Sequence, residues 1–282
     1  MNANSQLKMP VISDWLRDST IQLVGAGIGS AKLDAEIILA HTIRKSRTYL
    51  HAHGEELLSH RHLEIADARL QLRLDRTPIA YIIGHKEFYG RLFRVTPATL
   101  IPRPESETLI TMLKELQASA IHTQVEKRLV DVGTGSGCLG ITAKLELQEY
   151  QVTLIDISRH ALKVAESNAS YLNADVTIIQ SDLMAQYPFV ADVIVANLPY
   201  VDHAWERSPE TNHEPEIALF ASNQGLELIN KLLAQSKSHL SAAGYLLLEA
   251  DPRQHDSIVK EATKNGFSTQ EIRGYIICLK RS

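Results

Sequence analysis

The sequence predicts an α/β fold: a seven-stranded, mostly parallel sheet with helices on both faces, preceded by a small N-terminal helical bundle and a β-hairpin linker. Three observations carry this reading. Residues 11 to about 83 consist of short amphipathic stretches without a strand signal. From about residue 105, short β-branched runs alternate with helical patterns, as parallel strands joined by crossover helices require. A glycine-rich segment at 133–137, "GTGSG", joins the first of these runs to a helix.

The elements follow in order. In "VISDWLRDSTIQLVGAGI" the spacing of Ile12, Trp15, Leu16, Ile21 and Val24 predicts a first helix with these residues on its apolar face. The pattern restarts after a glycine turn in "GIGSAKLDAEIILAHTI", with Ser30 as the expected N-cap. "EELLSHRHLEIADARLQLRLD" reads as a third, strongly charged helix. Alternation around Leu92, Phe93, Arg94 and Val95, with Gly90 as a turn, predicts a hairpin. A helix over 105–118 then leads into strands at "RLVDVG", "QVTLIDI", "DVTIIQS", "ADVIVANLPY" and "GYLLLEA", with two more near 267–272 and 275–280. Further helices are expected at 159–172, 225–240 and 255–264. The domains implied are 1–84, 85–104 and 105–282.

Composition narrows the class. A chain of 282 residues with 44% hydrophobic content can bury one large core and a smaller second one. A net charge of −4 and a pI near 6.3 argue against a dedicated nucleic-acid binder, so no stable nucleic-acid binding is expected. The two cysteines, Cys138 and Cys278, form no CxxC pair, which fits reduced thiols in a cytoplasm. No apolar run approaches the ~18 residues of a membrane span, and "MNANSQLKMP" lacks the apolar core of a signal peptide. A cytoplasmic monomer is expected. Five of the twelve histidines lie between His41 and His62, but no Cys or HExxH pattern accompanies them, so no metal is assigned. Trp15 and Trp205 are expected to pack or cover a surface, and Cys138 to be a small buried thiol.

The ends of the strands carry the chemistry. Gly133, Gly135 and Gly137, with Thr134 and Ser136 between them, allow a tight turn and close approach of a ligand to the backbone. No Lys follows, which argues against a phosphate-cradling loop. Asp131, just before the glycines, would repel a pyrophosphate but suits a sulfonium-bearing amino acid. Asp156 ends the second strand, where an acid accepts hydrogen bonds from both hydroxyls of a ribose. Asp182 ends the third and suits an adenine amino group, with Leu183 as an apolar wall. All lie at the edge where open α/β sheets bind ligands. Together they point to S-adenosyl-L-methionine as cofactor, with S-adenosyl-L-homocysteine as product.

"NLPY", residues 197–200, ends the fourth strand. A planar amino group is a poor nucleophile and needs its nitrogen held and its two hydrogens accepted. The Asn197 side-chain oxygen and the Leu198 backbone carbonyl are two such acceptors. Pro199 restricts the residue before it to extended conformations, which aims that carbonyl. Tyr200 offers a flat face for stacking. Full orientation of this kind can carry on the order of 7 kcal/mol of a barrier. The motif alone does not choose between a carboxamide and an adenine.

The chain resembles the N5-glutamine methyltransferases of peptide chain release factors, and does so over nearly its whole length. "AKLDAEIILAHTIRKSRTYLHAH" from Ala31 is similar to that family's N-terminal helical domain. "TPIAYIIGHKEFYGRLFRVTPATLIPRPESETLI" is similar to its linker, and "DVGTGSGCLGI", "SDL" and "EPEIALFASNQGLELI" match further landmarks. The resemblance implies a Rossmann-like class I methyltransferase domain in which Gly133 to Gly137, Asp156 and Leu183 line the cofactor site. It implies that Asn197, Leu198, Pro199 and Tyr200 hold the glutamine of a Gly-Gly-Gln motif, that the helical domain docks the release factor, and that Arg103 and Glu105 lie at the mouth of the site. Pro104, Glu107, Glu214 and Pro215 belong to the same landmarks.

Three departures stand out. The family usually writes "NPPY", it commonly has Thr where this chain has Ser106, and "LEADPRQ" replaces a segment written "LEIG". "NLPY" is typical of rRNA adenine dimethyltransferases, and a sister enzyme modifies a glutamine of a large-subunit ribosomal protein. The helical domain and "IPRPESE" favour the release factor over both alternatives.

Overall fold

The computed structural model describes residues 9–119 and 127–282. The chain divides into two compact units: residues 1–84 with Pro209–His213, and residues 85–208 with 214–282.

Among the described residues the first unit holds five α-helices, α1 (Ile12–Gly25), α2 (Ala31–Ile43), α3 (Arg47–Ala52), α4 (His60–Leu74) and α5 (Ile79–Ile83), and the 3₁₀ helix Pro209–His213. Ile12, Trp15, Leu23, Ile38, Leu39 and Leu50 are among the residues of its apolar core. The phase of α1 differs from the expected one. Ile12, Trp15, Ser19 and Leu23 face inward, whereas Ile21 and Val24 are more than 60% exposed. Spacing near 3.6 admits more than one apolar stripe, and packing against α2 and α4 selects this one. Trp15 is anchored by its indole N–H, which donates to Asp67 at 2.7 Å.

Ser30 precedes α2 but does not cap it. Its backbone is not extended (φ −92°, ψ 17°), and its hydroxyl donates to Asp34 instead. Ser46 and Ser59 cap α3 and α4 in the expected manner, accepting from the N–H groups of Tyr49 and His62. α4 therefore begins at His60, and "EELL" lies outside it.

A buried charge cluster ties this unit together. Arg73 is buried and donates to Asp34 at 2.7 Å and to Glu210 at 3.1 Å, and Arg76 reaches Glu210 as well. Asp34 is also buried. Removing one member of such a group leaves a charge without compensation.

The second unit opens with a hairpin, β1 (His85–Phe88) and β2 (Arg91–Arg94). Tyr89 and Gly90 both have positive φ, which the two-residue turn demands. Its inward residues Phe88 and Phe93 meet edge to face, 6.1 Å apart, and join the core beneath the sheet. After a turn of 3₁₀ helix, Pro104–Ser106, come α6 (Glu107–Ser119), β3 (Lys127–Val132), α7 (Cys138–Glu146), β4 (Tyr150–Asp156), α8 (Arg159–Tyr171), β5 (Val176–Gln180) and β6 (Ala191–Ala196). α9 (Glu216–Leu219), α10 (Glu227–His239), β7 (Leu240–Glu249), α11 (His255–Lys264), β8 (Phe267–Arg273) and β9 (Ile276–Arg281) complete the unit.

The seven strands are ordered β5-β4-β3-β6-β7-β9-β8. Five run parallel, and β9 pairs antiparallel with both β7 and β8. β3 and β6 are buried along nearly their whole length because helices cover both faces. α6, α7 and α8 pack on one face through Leu109, Leu139 and Ala165. α10 and α11 pack on the other through Ile229, Leu233 and Ile258. β7 starts at Leu240, four residues before the expected strand; the extra length holds a register shift opposite Ala191 and Val193, with Ala243 in a left-handed conformation. Between β3 and β6 the strand order reverses, which opens a crevice at their C-terminal ends.

Arg73→Ala is expected to destabilise the first unit by about 3–5 kcal/mol, read as a shift of the denaturation midpoint, because Asp34 then stays buried without its opposite charge and keeps only the Ser30 hydroxyl. An unchanged midpoint would show that the cluster is not structural.

Candidate active site

A cavity opens at that crevice, floored by residues that follow β3, β4, β5 and β6. Gly133, Gly135 and Gly137 all have positive φ, conformations in which a side chain would be strained. The loop is pinned at both sides. The N–H groups of Gly133 and Thr134 donate to the Ile155 carbonyl, and that of Gly135 donates to Asp156 at 2.9 Å. A Cβ at Gly135 would enter open space above the loop, so the bare backbone faces the cavity.

The expected site residues fall into two groups. Thr134, Gly135, Ser136, Asp156, Asp182 and Leu183 line the cavity, as do Gly133, Asn197, Leu198, Pro199 and Arg103. Asp131, Gly137 and Tyr200 are not among its lining residues. Asp131 lies beneath the loop, 1% exposed, where its Oδ2 accepts from the Thr134 hydroxyl and the Gly140 N–H. Its Oδ1 is buried without a partner. Burial pushes its carboxyl up to about 6, against the opposing pull of those two hydrogen bonds. Burial likewise raises the Asp156 carboxyl. Asp182 is half-exposed and pairs with Lys231 at 2.7 Å. Leu183 is held at φ 50°, unusual for a residue with a side chain, with its carbonyl accepting from the Ser181 hydroxyl. Cys138, expected to be buried, is half-buried and lines the cavity, and desolvation pushes its thiol up to about 12.

These residues fit a nucleoside cofactor. Asp156 presents an acid at the end of β4, Ile157 and Leu183 supply apolar walls, and the glycine backbone leaves room beside them. The buried Ser136 hydroxyl, also without a partner, adds a polar group to the same loop.

Beside the cofactor end stands a network that sequence reasoning missed. Asn197 Nδ2 donates to Ser106 Oγ at 3.1 Å, and the Ser106 hydroxyl donates to Glu249 Oε2. Tyr200 Oη donates to Glu249 Oε1 at 3.1 Å. Glu249 is 2% exposed at the end of β7. Burial raises its carboxyl above the usual range, while the hydrogen bonds from Ser106, Tyr200 and Asn197 pull it down. The available signal was an acid closing the apolar run "YLLLEA", the same pattern that marks Asp156. Ser106 keeps a hydroxyl where the resemblance has Thr.

The backbone of the loop is buttressed too. Gln254 Nε2 donates to the Tyr200 carbonyl at 2.8 Å, and a Cβ on Gly225 would lie 1.9 Å from that oxygen. Leu198 is buried, and its side chain reaches to 2.8 Å from where a Gly133 Cβ would be. At the rim, Glu214 accepts from Arg103 and from the Ile101 N–H. Glu105 is exposed and lies outside the cavity lining, and Glu107 accepts from the Tyr89 N–H. Among the described residues no group of His, Cys, Asp and Glu is placed to hold a metal ion. Trp205 stacks against the Arg253 guanidinium at 3.7 Å.

Comparison with known proteins decides the family. Residues 14–84 match the PrmC N-terminal domain and residues 106–214 the methyltransferase small domain. A release factor glutamine methyltransferase of Koribacter versatilis is 37% identical over 83% of this chain and 86% of its own. The chain belongs to the release factor glutamine methyltransferase family. The Escherichia coli member is 34% identical over 91% of this chain and 92% of its own. A solved methyltransferase from Pyrococcus furiosus shares the fold, with a TM-score of 0.51 and 18% identity over 76% of this chain and 95% of that one.

The Asp131 carboxyl gives a pH prediction. Its folded pKa, about 6, lies above its unfolded value of about 3.9, so its contribution to stability is fully present below about pH 4 and is lost as pH rises through 6. The stability of the wild type relative to Asp131→Asn should therefore fall by roughly 2–3 kcal/mol between pH 4 and 7.5 in chemical denaturation. A difference that stays flat across this range would contradict the assignment.

Proposed function

We propose that the protein transfers a methyl group from S-adenosyl-L-methionine to the side-chain amide nitrogen of the glutamine in the Gly-Gly-Gln motif of a peptide chain release factor, in support of translation termination. The observation that carries this reading is the Asn197 carboxamide. Its Nδ2 is committed to Ser106, so its oxygen is the group free to meet a substrate amide at the cavity. Membership in a family whose curated members bear that activity supports the choice of substrate.

The cofactor, when bound, supplies a methyl group on a sulfonium, whose carbon–sulfur bond breaks as the carbon–nitrogen bond forms. The protein's own residues do the rest. Asp156 would hold the ribose and the glycine loop the methionine portion, with Asp131 acting from beneath as the anchor of that loop. Asp182 and Leu183 would border the adenine. Asn197 Oδ1 and the Leu198 carbonyl accept the two amide hydrogens, which turns the nitrogen toward the methyl group and draws electron density onto it. Tyr200 provides a flat wall, Arg103 borders the entrance, and Glu105 lies outside it. The amide proton leaves to water after transfer. The helical unit would bind the release factor, and a cytoplasmic monomer is the working state. No helix among the described residues is long and apolar enough to cross a membrane.

Mass spectrometry of a release factor incubated with the protein and cofactor should show a single added methyl on that glutamine. Asn197→Ala should lower kcat about 10²–10³-fold, the cost of losing one aimed polar group, with cofactor binding retained. Methylated adenine in rRNA with an unchanged release factor would overturn the reading.

A further inference from the structure

We propose that Glu249 is a positioning residue that sets, through Ser106 and through its own contact with Asn197, which end of the Asn197 carboxamide faces the substrate. The inference deepens the proposed function and rests on its reading of Asn197 as the amide clamp.

The reasoning is one of hydrogen-bond polarity. In its ionised form Glu249 can only accept, and both hydroxyls beside it then point their hydrogens at it. Ser106 donates to Oε2 and Tyr200 to Oε1. Once its hydrogen is spent, the Ser106 oxygen can only accept from its other neighbour. That neighbour is Asn197, whose carboxamide has a donor end and an acceptor end that are nearly identical in shape. It must therefore turn Nδ2 toward Ser106, as found at 3.1 Å, leaving Oδ1 for a ligand.

A reversed amide would present two hydrogens to the two hydrogens of the substrate. The two ends of the carboxamide differ little in shape, so the hydrogen bonds to Ser106 and Glu249 set its direction. Ser106, at the wall of the cavity, and Glu249 behind it are each only 2% exposed. The three residues come from three separate places, the turn before α6 and the ends of β6 and β7, brought together at one sheet edge.

Glu249→Gln tests the relay because it keeps shape and adds a donor. The glutamine NH₂ can donate to Ser106, which frees the serine hydrogen to donate to Asn197 Oδ1 and lets the carboxamide flip. In release-factor methylation assays, kcat should fall about a hundredfold while the KM for the release factor stays unchanged. Ser106→Ala should fall similarly, and Ser106→Thr, which keeps the hydroxyl, should recover the loss.

A second readout does not depend on the reaction. Hydrogen exchange of the Asn197 side-chain amide, assigned by its loss in Asn197→Asp, should be slow in the wild type. It should be fast in Ser106→Ala and Glu249→Gln. Unchanged kcat in Ser106→Ala, or unchanged amide protection in Glu249→Gln, would overturn the relay. A wild type that leaves the release factor unmethylated but shows this exchange pattern would overturn the proposed function and leave the relay standing.

Discussion

The site is organised by a single buried carboxylate. Glu249 sits at the end of a central strand, sealed from solvent, and accepts from two hydroxyls that belong to the turn before α6 and to the loop after β6. Burying a carboxylate costs several kcal/mol on its own, and hydrogen bonds to a charged group return about 1.5–3 kcal/mol each. The group is thus tolerated only while both partners hold their places. In holding them it fixes Ser106, and through Ser106 the Asn197 amide, and through Tyr200 the far end of the same loop.

The rest of the unit serves that arrangement. The reversal of strand order beside β3 opens the crevice, and parallel strands on either side deliver the glycine loop, Asp156, Leu183 and Asn197 to one edge. Asp131 locks the glycine loop from below, accepting from Thr134 and from the first turn of α7. Gln254 and Gly225 lock the Tyr200 backbone from the side. Leu198, the departure from the expected "NPPY", is accommodated because Gly133 has no side chain. Its apolar body fills the space above that glycine.

Much of this was legible in the chain. Apolar, β-branched runs with an acid or an Asn at or beside their C-terminal ends marked β3, β4 and β6, because the buried middle of each strand leaves a short unbroken apolar core. The hairpin at Gly90 was readable from its turn chemistry. What stayed hidden depends on contacts between distant parts of the chain. Ser106 and Glu249 are 143 residues apart, and neither neighbourhood reveals the other. The phase of α1 was ambiguous because two stripes share Ile12 and Trp15, and the neighbouring helices choose between them. Ser30 had the composition of a cap but not the backbone, since its hydroxyl is taken by Asp34. The early start of β7 required a left-handed Ala243, which no sequence pattern announces.

The most direct measurement is a crystal structure with S-adenosyl-L-homocysteine and a glutamine-bearing peptide bound together. The expected result places the glutamine side-chain nitrogen within hydrogen-bond distance of both Asn197 Oδ1 and the Leu198 carbonyl, with Asn197 Nδ2 still on Ser106 and Ser106 on Glu249. A complex in which Asn197 turns its Nδ2 toward the glutamine, or in which the glutamine nitrogen is held elsewhere, would contradict the claim that Glu249 sets the polarity of the site.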